Sequence, residues 1–249
     1  MQELEYKQAF VLHSRPFKEN QAIVEMLVEG EGRISVVANK GSKKNSARSA
    51  LLQPFRALRI QYKPGKGLHS LKSIEANVQH EEIKLVSKAL FCGFYLNEIV
   101  CRLCKSDAYY DELYPLYLYA LSHLNNAGQL HDELAFKQYI EIILRQFESR
   151  LLTLLGYGVS FEHNIELDQP IEPSLYYELF NDVGFVMTNI AQRGFIGSDL
   201  LSIEQLLHSD INLAQIDAKH LKQSKHILRA CLHRHLGDKP LKSRELFRK

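Results

Sequence analysis

The chain has 249 residues, of which 45% are hydrophobic and 24% charged, with 13 Gly and 7 Pro. This is the composition of an ordinary globular protein, and it excludes a disordered, collagenous or coiled-coil chain. No apolar stretch approaches the ~18 residues of a membrane span, and the opening segment lacks the apolar core of a signal peptide. Four cysteines in so long a chain indicate a reducing compartment rather than a disulfide framework. We therefore expect a cytoplasmic protein outside the membrane.

The net charge of +2 conceals a strong segregation of charge along the chain. Residues 33–74 hold ten basic and no acidic residues, residues 81–218 hold 8 basic and 20 acidic residues, and residues 219–249 hold 10 basic and 2 acidic residues. Such segregation favours an anionic partner for the two basic segments, most often nucleic acid. The alternative is a solvated surface loop followed by a basic tail, and at this point it stays open.

Up to about residue 80 the sequence predicts short strands. The turn at 29–32, which contains two glycines, and the turn at 63–67, which contains Pro-Gly, each connect two β-like runs into a hairpin. Four or five short strands favour a small closed barrel, because closure removes the exposed edges of a flat sheet. The basic stretch 39–50 between the hairpins predicts a loop or a short surface helix. The predicted strands are 8–13, 22–28, 33–38, 58–62 and 68–74.

After residue 80 apolar residues recur every three or four positions, which predicts helices. Asp132 is an N-cap residue type and Gly156 a C-cap type, so they bound the longest of these helices. Segment 159–197 looks irregular, with one possible short β pair around residues 185–187. The fold class is therefore α+β with two domains, a β-barrel domain at 1–80 and an all-α helical domain at 81–249. The predicted helices are 83–100, 113–124, 132–155, 198–208 and 216–236.

The sequence carries no recognisable catalytic motif. It has no Gly-x-Ser-x-Gly elbow, no phosphate-binding loop and no His-Glu-x-x-His pair, so we expect neither enzymatic activity nor a cofactor. Cys101 and Cys104 have a metal-like spacing, but they lack a second ligand pair and lie in a helical apolar pattern, which favours core packing. His226, His233 and His235 form the densest histidine group. A helix turns His235 away from the other two, which favours phosphate contact or a solvated face over a metal site.

Five short segments, spread from residue 9 to residue 247, carry a family resemblance. They are Ala9–Pro16, Gly32–Ala38 with Lys40-Gly41, Leu52–Phe55, Leu144–Gly158 and Gly237–Phe247. In this order they are similar to motifs of the RecO family of bacterial recombination mediators, including its Arg-Arg-Phe-Glu…Leu-Gly-Tyr signature. The resemblance implies an N-terminal OB-fold followed by a helical domain, which agrees with the strand and helix patterns.

The resemblance also implies a function in DNA repair and recombination. Members of the RecO family bind single- and double-stranded DNA and anneal complementary strands. With RecR they load RecA onto DNA covered by the single-strand binding protein SSB, whose acidic C-terminal tail they grip. We therefore expect DNA, the SSB tail and RecR as partners, a functional link to RecA, and a nucleoid-associated cytoplasmic location.

Two departures from the family pattern bear on sites. Many members carry a four-cysteine zinc site after the Leu-Gly-Tyr motif, whereas residues 159–189 contain no cysteine, so we expect no metal. The second arginine of the Arg-Arg-Phe-Glu motif is Gln146 in this chain, while Arg145 is retained. Any role of position 146 in binding the SSB tail is therefore in doubt.

An OB barrel binds single strands through a basic groove and aromatic platforms. Segment 33–74 offers only two aromatic residues, Phe55 and Tyr62, and both fit core positions of strands. We therefore expect binding to rest on neutralised phosphates, with little readout of bases. Lys242, Arg244 and Arg248 either add a second basic strip or cap the last helix. The predicted DNA-binding residues are Arg33, Lys40, Lys43, Lys44, Arg48 and Lys66.

The helix predicted at 132–155 is the candidate site for the SSB tail. It has a wide apolar face, with Arg145 at the edge of that face, where a guanidinium can fork onto the terminal carboxylate of the tail. The alternative is an ordinary surface bridge from Arg145 to Glu141 or Glu148. The predicted tail-binding residues are Arg145, Leu144, Phe147 and Leu151.

Two other functions stay open at this stage. Basic OB folds also bind RNA, so an RNA- or ribosome-associated protein is one alternative. A protein adaptor, whose acidic middle segment faces a basic partner, is the other.

Overall fold

The structure is a computed structural model that describes residues 4–39, 47–80, 82–180, 182–191 and 194–248. Contacts divide the chain into two compact units. Residues 1–125 with 241–249 form the first, which we call the barrel unit, and residues 126–240 form the second, which we call the helical unit. In the described ranges no helix is both long enough and apolar enough to span a membrane.

The barrel predicted from the strand pattern is confirmed. Five strands close in the order β1-β2-β3-β5-β4, and every neighbouring pair is antiparallel except β3 with β5. This arrangement is the five-stranded barrel of an OB-fold. Inward and outward residues alternate along β3, which is why its sequence alternates between apolar and polar positions. The strands are β1 (Lys7–Phe17), β2 (Gln21–Val28), β3 (Gly32–Asn39), β4 (Ala57–Lys63) and β5 (His69–Ala76), with the short helix α1 (Ala47–Leu51) before β4.

Two further helices, α2 (Ser87–Leu103) and α3 (Leu113–Ala127), follow the barrel. The Asn97 side chain on α2 donates to the Leu12 carbonyl over 2.8 Å and accepts a hydrogen bond from the Tyr117 hydroxyl of α3. This buried amide therefore connects both helices to β1 with its polar atoms satisfied. The sequence pattern had placed the start of α2 at residue 83, four residues too early.

The apolar start of β1 explains why these helices belong to the barrel unit. Ala9 and Val11 belong to the barrel core, whereas the Phe10 ring points the other way and packs 5.3 Å from the rings of both Tyr114 and Tyr117. A strand that is apolar on both sides needs a cover on both sides. Residue 80 thus marks the change from strands to helices, while the compact units divide near residue 125.

The chain end also belongs to the barrel unit. Residues 242–248 form a 3-10 turn against α2. The Ser243 amide and hydroxyl donate to the Glu98 carboxylate over 2.8 and 2.7 Å, and the Phe247 ring lies 5.7 Å from the Phe91 ring. This segment therefore docks on α2.

The helical unit contains the three long helices that the spacing predicted. The Asp132 side chain accepts from the Ala135 amide over 2.6 Å and so caps the first of them, and Gly156, at φ +79°, follows its end. Gly237, at φ +68°, ends the last one in the same left-handed region. The helices are α4 (Glu133–Leu154), α5 (Gly197–His208) and α6 (Ala218–Leu236).

Segment 159–197 is not irregular, because it forms a five-stranded sheet in the order β10-β8-β9-β6-β7. The expected β pair around residues 185–187 is part of it. The other strands are two to five residues long, too short to show a two-residue period. Phe185 lies in the core of the sheet, with its ring 5.4 Å from Phe161 and 6.1 Å from Phe195. The strands are β6 (His163–Asn164), β7 (Gln169–Pro170), β8 (Tyr176–Phe180), β9 (Gly184–Thr188) and β10 (Phe195–Ile196).

Candidate nucleic-acid interface

Arg33, the first predicted DNA-binding residue, is built into the barrel unit. Its Nη1 lies 2.6 Å from the Glu25 carboxylate, its Nε donates to the Cys104 carbonyl over 2.9 Å, and its side chain is only 16% exposed. Its own carbonyl accepts from the Asp107 amide over 2.8 Å. Arg33 is therefore a neutralised cross-link between β3 and the end of α2, and phosphate contact by this residue stays a prediction.

Arg48 and Lys66 lie at opposite ends of the barrel. β3 and β5 run parallel, with Val36 opposite His69. The exposed turn that carries Lys66 comes just before His69 at the start of β5, so it lies at the end of the barrel where β3 begins. Arg48 donates from Nη2 to the Lys72 carbonyl over 3.4 Å, which lies beyond that point, toward the end of β3. The structure therefore does not bring these two predicted residues together at one site.

Lys40, Lys43 and Lys44 lie outside the described residues. At the barrel end marked by Arg48, the described residues add cations that the prediction left out. Lys72 is exposed there. The β1–β2 turn lies at the same end, because Gln21 pairs with Asn39 at the end of β3, and Arg15 and Lys18 beside this turn are exposed. Arg15 and Lys18 precede the acid-free segment 33–74, so the distribution of charge along the sequence did not point to them. The signal that identifies them is their place at a barrel turn, where OB-folds bind oligonucleotides.

The outer face of β2 and β3, between these two ends, is nearly neutral. Ile23 lies opposite Val37, and Glu25 lies opposite Ser35, whose hydroxyl donates to the Glu25 carboxylate over 2.9 Å. Because Arg33 compensates the charge of Glu25, the face carries no excess of cations. The candidate interface thus consists of exposed cations at two ends of the barrel, separated by a neutral, partly apolar face.

Phe55 is buried as expected, but it lies in the turn before β4 and not on a strand, whereas Tyr62 lies on β4 and is half-buried. Phe55 is buried and its ring lies 5.2 Å from that of Phe94. Tyr62 packs against the barrel core and its hydroxyl donates to Glu31, and burial together with this acceptor raises the pKa of Tyr62. Neither ring is an open platform for base stacking, so the barrel supports contact with phosphates better than contact with bases.

The predicted tail-binding residues of α4 are mostly core residues of the helical unit. Phe147 and Leu151 are at most 1% exposed, Leu144 is half-buried, and Arg145 is 2% exposed. Arg145 Nη2 lies 2.7 Å from Glu148. The Glu148 pair of the alternative interpretation is therefore present, but it is a buried pair and not the surface bridge that we expected. Tail binding by Arg145 stays a prediction, and it requires this pair to open.

Gln146, which replaces the second arginine of the family motif, also points inward. Its side-chain amide donates to the carbonyls of Leu206 and Ser209 over 3.2 and 2.9 Å. These carbonyls belong to the end of α5, where helix carbonyls lack intrahelical partners. Position 146 thus satisfies a helix end within the helical unit.

Comparison with protein families decides what the chain is. Residues 1–78 match the model described as Recombination protein O N terminal, and residues 87–245 match Recombination protein O C terminal. The chain belongs to the RecO family. It is 34% identical over 244 residues to the DNA repair protein RecO of Pseudoalteromonas translucida, which covers 98% of this chain and 97% of that protein. It is 35% identical over 245 residues to that of Haemophilus influenzae, covering 98% of this chain and 95% of the relative.

The cysteines of this RecO-family chain are buried thiols. Cys104 is buried and Cys101 largely so, and burial raises the pKa of each to about 12. Within the ranges that the structure describes, no three His, Cys, Asp or Glu side chains are grouped as a metal site requires. Both findings agree with the core packing predicted for Cys101 and Cys104, and the absence of zinc from the protein stays a prediction.

The cations at the chain end of this RecO-family protein are exposed on the barrel unit. Lys242 and Arg244 lie on the 3-10 turn that docks on α2, and both are exposed. The Arg248 side chain lies outside the described residues. This position leaves the predicted second basic strip available to an anionic partner.

Proposed function

We propose that this chain acts in DNA repair as a recombination mediator that binds single- and double-stranded DNA and anneals complementary strands. The observation that carries the proposal is an OB-type barrel with exposed cations at two ends and buried aromatic rings. Cations neutralise the phosphates of any sequence, and without stacking platforms the bases stay free to pair. Membership in the RecO family supports this function.

The proposal extends to the protein partners of the mediator. We propose that the chain engages the acidic C-terminal tail of SSB and acts with RecR to promote loading of RecA, in the cytoplasm at the nucleoid. These partners rest on the family resemblance. The most direct experiment is annealing of complementary oligonucleotides coated with SSB, which requires both DNA contact and SSB contact in one reaction.

Removal of the basic loop tests the DNA contact. We expect the variant with alanine at positions 40, 43, 44 and 48 to bind single and double strands more weakly, and its salt dependence to fall by up to about one unit per lost phosphate contact. The matched control removes four exposed lysines from the acidic segment, with the same change in net charge, and should keep the wild-type slope. Equal affinity and slope in both variants would contradict the proposal. The control residues are Lys84, Lys88, Lys105 and Lys137.

The tail contact needs a variant that keeps the helical unit folded. Arg145→Ala removes the cation that pairs with the buried Glu148, so a loss of binding would be confounded by a loss of stability. The double variant Arg145→Met with Glu148→Met removes the cation and the buried charge together. If Arg145 holds the tail, this variant loses at least tenfold in affinity for an SSB tail peptide, ~1.4 kcal/mol, and still anneals naked DNA. Unchanged peptide affinity excludes Arg145 from tail binding.

RNA binding is the second candidate function, and the same barrel cations favour it. Competition of labelled single-stranded DNA against RNA of equal length separates DNA binding from RNA binding. Contact with phosphates alone gives similar affinities for both strands, whereas an RNA-binding protein prefers RNA because of its 2′-hydroxyl groups. A pure protein adaptor would bind neither with a dependence on salt.

A further inference from the structure

The five-stranded sheet of the helical unit exposes a cluster of apolar side chains. Ile165, Phe180 and Val183 are 44%, 51% and 50% exposed, and Leu167 beside them is 51% exposed. Single exposed apolar residues are common on protein surfaces, whereas a contiguous cluster marks an interaction site. The question is therefore whether the backbone places these side chains together.

The register of the strands brings them to one place around Gly184. Phe180 lies directly opposite Gly184, and the Val183 amide donates to the Phe180 carbonyl over 3.0 Å. Ile165 reaches across from β6, because its amide donates to the Phe185 carbonyl over 2.9 Å. Its Cγ2 atom lies only 2.3 Å from the point where a Cβ atom at position 184 would sit. Glycine at 184 therefore makes room for Ile165 between β6 and the β8–β9 turn.

The chain segment that carries this cluster is acidic. Residues 151–192 contain six acidic residues and no lysine or arginine. Four of the six are exposed and two are half-buried, and among the described residues none of them forms a salt bridge. We call the cluster and these acids the acidic apolar face. The acids are Glu162, Glu166, Asp168, Glu172, Glu178 and Asp182.

This charge excludes the anionic partners of a mediator from the acidic apolar face. DNA and the acidic tail of SSB are both repelled by the six carboxylates of this segment. The same face of a second copy is repelled for the same reason. A partner surface that matches the acidic apolar face in charge and polarity carries lysine or arginine around apolar side chains. Such a surface is found on proteins and not on nucleic acids.

We propose that the acidic apolar face docks a protein partner of the mediator whose contacting surface is basic and carries apolar side chains. The inference rests on the proposed function, which names RecR and RecA as the protein partners to be tested. DNA contact then belongs to the barrel and protein contact to this sheet. The two activities are separable by mutation.

The experiment measures the affinity of the full-length chain for purified RecR and for purified RecA. One variant, Phe180→Ser with Val183→Ser, removes exposed apolar side chains, and a second, Glu166→Lys with Asp168→Lys, reverses charge. We expect each variant to lose at least tenfold in affinity for the protein that binds wild type, while binding and annealing of naked DNA stay unchanged. The control, Leu134→Ser, removes a 64% exposed apolar side chain elsewhere in the helical unit and should bind as wild type.

The outcomes separate this inference from the proposed function. If wild type binds RecR or RecA and both variants bind equally well, the acidic apolar face is not the docking surface and the inference is overturned. If wild type binds neither protein, the partner part of the proposed function fails, and the inference falls with it. Loss in both variants, together with weakening of wild-type binding by salt, supports the inference.

Discussion

Each unit contains an Arg–Glu ion pair, and the two pairs are buried to different degrees. In the barrel unit, Arg33 and Glu25 lie 2.6 Å apart with side chains 16% and 17% exposed, and their other polar atoms bind Cys104 and Ser35. In the helical unit, Arg145 and Glu148 lie 2.7 Å apart with side chains 3% and 0% exposed. Burial therefore differs far more than distance does.

This difference in burial determines how each pair contributes to stability. A partly exposed pair with satisfied neighbours links elements and adds a modest stabilisation, because water still solvates both charges. In the buried pair, Nε and Nη1 of Arg145 have no hydrogen-bond partner among the described residues. Its two charges have lost their hydration, so the attraction between them is screened less than in the exposed pair. We expect loss of one partner to matter most in the helical unit.

The largest effect is expected for Arg145→Ala. It should lower the free energy of unfolding by about 3–5 kcal/mol, because the buried Glu148 carboxylate then loses the cation that lies 2.7 Å from it. Urea unfolding followed by circular dichroism measures the change. The Arg145→Met, Glu148→Met double variant is the control and should lie much closer to wild type. A loss below 1 kcal/mol in the single variant would show that the pair is solvated in the native state.

Arg33 and Lys66 test the barrel side of the comparison. Arg33→Ala should lower the free energy of unfolding by about 1.5–3 kcal/mol, through its charged hydrogen bonds to Glu25 and Cys104. If the guanidinium stays on Glu25 when DNA binds, this variant leaves the salt dependence of DNA binding unchanged. Lys66→Ala should do the opposite, with wild-type stability and a salt slope lower by up to about one. A lower slope for Arg33→Ala would show that this guanidinium leaves Glu25 to contact phosphate.

Glu98 tests a charge that is held mainly by hydrogen bonds, with a smaller contribution from Arg102. Burial raises its pKa, but hydrogen bonds from Ser243 and the Lys242 amide outweigh burial, so the folded pKa lies below its ordinary value. Its contribution is therefore present above about pH 4.3 and is lost as the pH falls through the folded pKa. Glu98→Ala should lose about 1–3 kcal/mol at pH 7, measured by urea unfolding. The gap to wild type should close in acid, and a gap independent of pH would contradict this mechanism.

The smallest effect is expected for metal and thiols. The purified protein should contain no stoichiometric zinc, and a chelator should leave its melting temperature unchanged. With pKa values near 12, Cys101 and Cys104 hold almost no thiolate at pH 8 and should react slowly with an alkylating reagent until the protein unfolds. One zinc per chain by elemental analysis would overturn the assignment of both residues to the core.

Features that depend on neighbours in sequence were predictable. The β2–β3 hairpin follows from two β-like runs and a glycine turn, and the ends of α4 follow from Asp132 and Gly156. The family followed from five local motifs. In the hairpin and in the helix caps, the interacting groups lie within a few residues of each other. The local sequence therefore predicts these interactions directly.

Features that depend on distant neighbours were decided only by the tertiary structure. The sequence placed Arg145 at the edge of an apolar face, but the neighbours of α4 bury it, and helical spacing does not show how wide the covered face is. Arg33 was counted as a free cation, although Glu25, eight residues away along the chain, and Cys104, 71 residues away, hold it in place. The barrel, the long helices, the family and the distribution of charge along the chain follow from the sequence alone, whereas the sheet at 159–197 does not. Which charges remain available to a partner was decided by burial and pairing, because both depend on contacts between residues that are far apart in the sequence.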